Sequence, residues 1–146
     1  MAITQAMCTS FKKELLEGQH DFRSAGDTFK LALYSAAATL SAGTTNFITS
    51  GEVEGAGYSS GGIELTNVDP TNSGTVGITN FGTATFTAVS ITARGGLIYN
   101  TTADNSSGTT NAVAVIDFSA DKTAVVGNFT VTFPTADGTT AIIRTE

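Results

Sequence analysis

One cysteine, one histidine and no tryptophan stand among 146 residues, and only 14% of the chain is charged. Each shortage excludes a class of chemistry. A lone Cys8 forbids an internal disulfide, and with a single His it cannot build a zinc site of recognised spacing. A small buried hydrophobe is the role expected of it, with no metal and no cofactor. The sole histidine, His20, is the only base available to a nucleophile–base–acid arrangement, and its adjacency to Asp21 does not define one. A surface or linker histidine is expected, and no enzyme. Seven basic residues against thirteen acidic ones give a net charge of −6. Binding a polyanion needs a basic stripe, so no nucleic acid partner is expected. The pair Lys12 and Lys13 reads as a solvated face. No apolar run of membrane-spanning length occurs, which predicts no membrane partner. The first lysines follow apolar residues instead of preceding them, so no signal peptide is read and a cytoplasmic product is expected. The sequons at Asn100, Asn105 and Asn128 are then chance matches in an Asn/Thr-rich chain.

What the chain does contain is Thr, Gly, Ala and Ser in abundance, the composition of β-structure with tight turns. Its length suits one domain. Residues 1–18 predict a short amphipathic helix: Ile3, Met7, Phe11 and Leu15 recur every fourth position, Cys8 and Leu16 widen the stripe, Thr4 suits the N-cap, and Gly18 suits the C-terminal left-handed position. From Asp27 the period becomes two. "TFKLALY" directs Phe29, Leu31 and Leu33 to one face, and the alternation returns at Ile63/Leu65, Val89/Ile91/Ala93, Val113/Val115 and Phe129/Val131/Phe133. Strands are expected near 28–35, 49–54, 62–68, 74–80, 83–93, 96–100, 112–118, 127–133 and 140–145, separated by turns such as "NVDPTNSG". The implied fold is mainly β: a β-sandwich or jelly-roll-like domain over 27–146 with the helix before it. Residues 36–47 and 101–111 read as exposed arms or loops.

"GEVEGAGYSSGG", residues 51–62, holds five glycines in twelve positions. It does not form a phosphate loop, because no helix opens after it, no basic residue lies between Lys30 and Arg94, and Glu52 and Glu54 would repel an anion. Its glycines serve a tight turn through Gly55 and Gly57, and Tyr58 at its centre is a candidate contact with a neighbouring subunit. Glu52 and Glu54, two apart on a strand, would share a face, but no aromatic-lined sugar cleft surrounds them. Asp69, Asp104, Asp121 and Asp137 sit beside turn residues and read as structural. In "ITARGGLIYN", Gly95-Gly96 indicates a bulge or a close backbone approach. Arg94 either pairs with Glu52, Glu54 or Glu64, within the chain or across subunits, or stands exposed on an edge strand.

The order "ITQAMCTSFKKELLEGQHDF", "FKLALYSAAATL", "GEVEGAGYSSGG", "ITARGGLIYN", "AVAVIDF" and "GNFTVTFP" resembles small tailed-bacteriophage virion proteins along nearly the whole chain. The resemblance is to the capsid decoration, or cement, type. It implies a non-enzymatic virion structural protein on the outer head surface, a homo-oligomer with a trimer favoured, bridging capsomers of the major capsid protein. Met7, Phe11 and Leu15 would then anchor the helix to a partner, with Tyr58 and Arg94 as further contacts; alternatively the helix covers one end of its own sandwich. A tail or head appendage protein that binds a receptor or carbohydrate is the second expectation, with Tyr58 and Tyr99 as its candidate aromatics. A small hydrolase is disfavoured by the single His.

Overall fold

Period-two segments become strands, and their apolar faces close over one core. The computed structural model describes residues 2–102 and 110–145. Among them are eight strands and one helix: β1 (Ala6–Met7), α1 (Thr9–Leu16), β2 (Phe29–Tyr34), β3 (Ile63–Glu64), β4 (Asn67–Ser73), β5 (Val76–Phe81), β6 (Ala84–Asn100), β7 (Asn111–Val131) and β8 (Ile143–Thr145). They form two antiparallel sheets, a five-stranded one ordered β1-β7-β6-β2-β3 and a three-stranded one ordered β4-β5-β8. The chain is therefore mainly β and sandwich-like, as its alternation predicts. Phe81 joins the layers: its ring lies 5.6 Å from Phe29, 6.1 Å from Phe22 and 5.8 Å from Phe133.

The N-terminus departs from expectation. Ile3 and Met7 are not helical: Ala6 and Met7 pair with Val115 and Ala114 of β7, and Ile3 bridges Leu40. Strand pairing captures residues that the four-residue spacing assigned to a helix. The helix starts at Thr9, capped by extended Cys8 with no side-chain bond, so Thr4 is not the cap. Its end follows the prediction. Gly18 has φ +73°, its N–H donates to Leu15 O, and Gln19 N–H donates to Glu14 O, the paired bonds of a Schellman motif. Phe11 is fully buried in the chain's own core and Leu15 partly so, while Leu16, placed on the apolar stripe, is 91% exposed.

Several strand boundaries also move. The runs 83–93 and 96–100 fuse into β6, and 112–118 and 127–133 into β7. Gly95 and Gly96 lie inside β6 because a side chain would not fit: a Cβ on Gly95 would stand 2.4 Å from Ile116 O, and one on Gly96 2.8 Å from Leu31 Cδ1. The expected close approach is there. "NVDPTNSG", expected as a turn, is the edge strand β4, where Asp69 and Pro70 occupy the register break between Val68 and Thr71. An edge with a bulge tolerates a proline that cannot donate. Residues 49–54 make only one bridge, Glu52 to Tyr34, and no strand. The 36–47 segment is a loop, as expected, but no free arm: Ala38 and Leu40 are buried, Leu40 N–H donates to Ala2 O, and Phe47 N–H to Thr110 O. Of the second expected arm, 101–111, and of Asp104, the part 103–109 lies outside the described residues.

Candidate functional site

The glycine-rich stretch 51–62 folds inward. Gly57, Gly61 and Gly62 have φ of +82°, +95° and +78°, so the tight turn drawn from its glycines is present. Absent side chains let the loop lie on β6, where a Cβ on Gly55 would come within 2.1 Å of Ser90 O. Glu52 is its hub. Tyr58 Oη and Gly61 N donate to Glu52 Oε1 at 2.8 and 2.6 Å, and Ser60 Oγ donates to Oε2 at 2.7 Å. Tyr58 Oη also accepts from Leu33 N at 3.0 Å, and its ring stacks 5.7 Å from Phe86. Tyr58 is thus half-buried, with its hydroxyl and ring engaged by its own chain. Tyr99 Oη donates to Gly61 O at 2.6 Å, and burial, aided by the Glu52 charge, pushes its phenol up to about 12. Glu52 and Glu54 do not form a pair on one strand face: Glu52 is consumed by the loop and Glu54 is exposed.

His20 is no surface residue. Its side chain is 0% exposed, with its ring centroid 4.9 Å from Phe11 and 6.2 Å from both Phe22 and Phe29. Glu14 Oε2 lies 2.7 Å from Nε2, and Asn100 Nδ2 lies 2.9 Å from Nδ1. Because the Asn100 oxygen accepts from Thr102 N at 2.8 Å, its amide nitrogen must face the ring. Nδ1 therefore accepts, and Nε2–H donates to Glu14. The other Asn100 hydrogen goes to Asp27 Oδ2 at 2.7 Å, and Asn111 Nδ2 donates to Glu14 Oε2 at 3.1 Å. Two buried carboxylates, an imidazole and two amides hold α1 and the 17–28 segment on the sheet. This cluster leaves no mark in the sequence, since its members run from Glu14 to Asn111 and carry no local pattern. Cys8, fully buried, is the small hydrophobe expected, and burial followed by the Glu14 charge pushes its thiol up to about 11.

Within the chain, Arg94 pairs with two aspartates and not with Glu52, Glu54 or Glu64. Nε stands 3.5 Å from Asp117 Oδ1 and Nη1 3.8 Å from Asp121 Oδ1. Those aspartates flank a break in β7: from Ala93↔Lys122 to Gly95↔Asp117, β6 advances two residues and β7 five. Arg94 spans the bulge, with Ser119 at φ +66° within it.

The outer flank of β7 offers what these clusters lack, namely unpartnered surface. β1 pairs with it only at Ala114 and Val115. Beyond, a groove of about 490 Å³ is lined by Ile116, Phe118, Phe129, Val131, Pro134 and Ile142 among others. A second, smaller groove shares Ile142 and includes Met7, Val115 and Arg144. Val125 and Val126 stand out at 77% and 80% exposure, and Val126 has φ +44°. Of the five contact residues expected from sequence, Met7 lies beside this flank and Arg94 braces its bulge; Phe11 and Tyr58 face inward, and Leu15 borders a small recess with Phe22 and Ile78. Among the described residues no cluster of His, Cys, Asp or Glu suits a metal ion, and no helix is long and apolar enough to cross a membrane. No family model, no curated protein and no solved structure matches the chain.

Proposed function

We propose that the chain is a non-enzymatic structural protein of a phage virion, of the head decoration type, assembling as a homo-oligomer on the major capsid protein. One observation carries this: the polar clusters described are spent on internal bonds, whereas the outer flank of β7 exposes an apolar groove and two adjacent valines. A catalytic base must reach substrate, and His20 is sealed behind phenylalanines. Glycan binding draws on exposed aromatic faces, yet Tyr34 and Tyr99 are buried and Tyr58 is half-buried against Phe86. Stable association instead uses apolar patches rimmed by polar residues, which this flank provides. The sequence resemblance supplies the virion, the head location and the favoured trimer. Cryo-electron microscopy of the intact particle tests it. Regular density for this chain between capsomers is the expected result; density only in the tail would reject the decoration role, and its absence from the particle would reject the virion role.

A further inference from the structure

Val125 and Val126 are adjacent, exposed and held in a bulge: β6 advances two residues from Val89 to Ile91 while β7 runs three from Gly127 to Ala124. A β-branched residue at φ +44° is an outlier, yet the bulge is fixed by Val126 N–H donating to Ser90 Oγ at 3.0 Å. The fold holds an apolar plug outward. Along the same strand lies the groove floored by Phe118 and Phe129, a socket of matching chemistry. Charge complements shape here. Val125 closes an acidic cleft lined by Glu52 and Glu54, and Lys122 is the charged residue lining the groove.

We propose that the plug of one copy, Val125–Val126, seats in the β7 groove of a second copy, bringing the Glu54 rim of one chain to Lys122 of the other. The occupant is this chain itself, because the plug borders an acidic cleft and the socket carries a lysine, and the two recesses meet at Thr123. The bulges at 118–121 and 125–126 block extension of the sheet by simple edge pairing, so the contact is made by side chains. The proposal names the contact of the homo-oligomer proposed above and rests on that part of the reading.

Two measurements test it. Sedimentation of the wild-type chain should give a multiple of 14.9 kDa, and Val125→Asp/Val126→Asp should give 14.9 kDa with an unchanged circular dichroism spectrum. A multimer retained by that variant overturns the contact but leaves self-assembly standing; a monomeric wild type overturns both. Separately, Val126→Cys with Thr132→Cys should form covalent multimers on oxidation, while neither single variant does. Thr132 lines the groove just beyond the end of β7, and a bridge formed within one chain would leave the mass at 14.9 kDa, so it is not mistaken for a multimer. Crosslinking by Val126→Cys alone would mean plug meets plug, and no crosslinking by the pair would mean an empty socket; either result overturns the proposal.

Discussion

Glu52 accepts three hydrogen bonds within 2.8 Å, one of them from the buried backbone N–H of Gly61. Glu52→Ala leaves Gly61 N and Tyr58 Oη without their acceptor and is expected to cost about 2–3 kcal/mol, whereas Glu52→Gln keeps one oxygen for both and costs about 1 kcal/mol. Urea unfolding of the two variants checks this, and equal losses would sink the hydrogen-bond account. Asn100 makes a sharper case. Asn100→Asp exchanges a donor for an acceptor against Asp27 Oδ2 at 2.7 Å and the Nδ1 lone pair of His20 at 2.9 Å. The expected loss at neutral pH is about 3 kcal/mol, the cost of an uncompensated buried charge. Like charge raises the pKa of the introduced carboxyl in the fold, so the stability deficit shrinks as pH falls and grows as pH rises. A deficit independent of pH would show that the site relaxes by another route. Neither role was legible in the sequence. "GEVEGAGYSSGG" disclosed its turn glycines, because φ > 0 selects glycine locally, but the direction of Tyr58 and the burial of His20 depend on partners far along the chain.

Period explains what was legible among elements. Residues four apart share a face in a helix, yet four is also a multiple of two, so Ile3, Met7, Phe11 and Leu15 fit a strand as well as a helix. Pairing with Val115 and Ala114 decided for the strand at Ala6–Met7, and Gly18 still marked the true helix end. In β6 the Gly95-Gly96 pair signalled the close approach of Ile116 O and Leu31 correctly, while the strand break placed beside it is absent. The β7 bulge at Val125–Val126 had no sequence signal, since valine is a strand former. It carries a prediction of its own. Val126→Asn places a residue that tolerates the left-handed region at φ +44°, and it removes a side chain that is 80% exposed, so little packing is lost. Chemical unfolding at concentrations where the chain is monomeric should show a gain of about 1 kcal/mol, the lower end of the strain at such positions. A loss of stability would mean that the bulge is not strained.

At the scale of the whole molecule, three phenols tie the loops to the large sheet. Tyr34 Oη donates to Ile48 O at 2.6 Å, Tyr58 Oη bridges Leu33 N and Glu52, and Tyr99 Oη donates to Gly61 O at 2.6 Å. Burial raises all three above the ordinary phenol value of 10.0, with the Glu52 charge adding in each case; Tyr99 reaches about 12, and Tyr34 and Tyr58 go higher. For an acid whose folded pKa is raised, the linked stability is complete below the unfolded value and is lost as pH rises through the folded one. The fold should therefore withstand pH 9 and weaken from about pH 10 upward as the unfolded state gains phenolates. Ionisation in the native state would put a charge beside Glu52 and remove the donated protons. The three tyrosines, being every tyrosine in the chain, should then titrate late and together with loss of the β circular dichroism signal. Phenolate absorbance followed alongside circular dichroism from neutral to alkaline pH makes the measurement. Three independent titrations near pH 10 with the β signal intact would mean that the phenols face solvent and that the loops are not fastened through them.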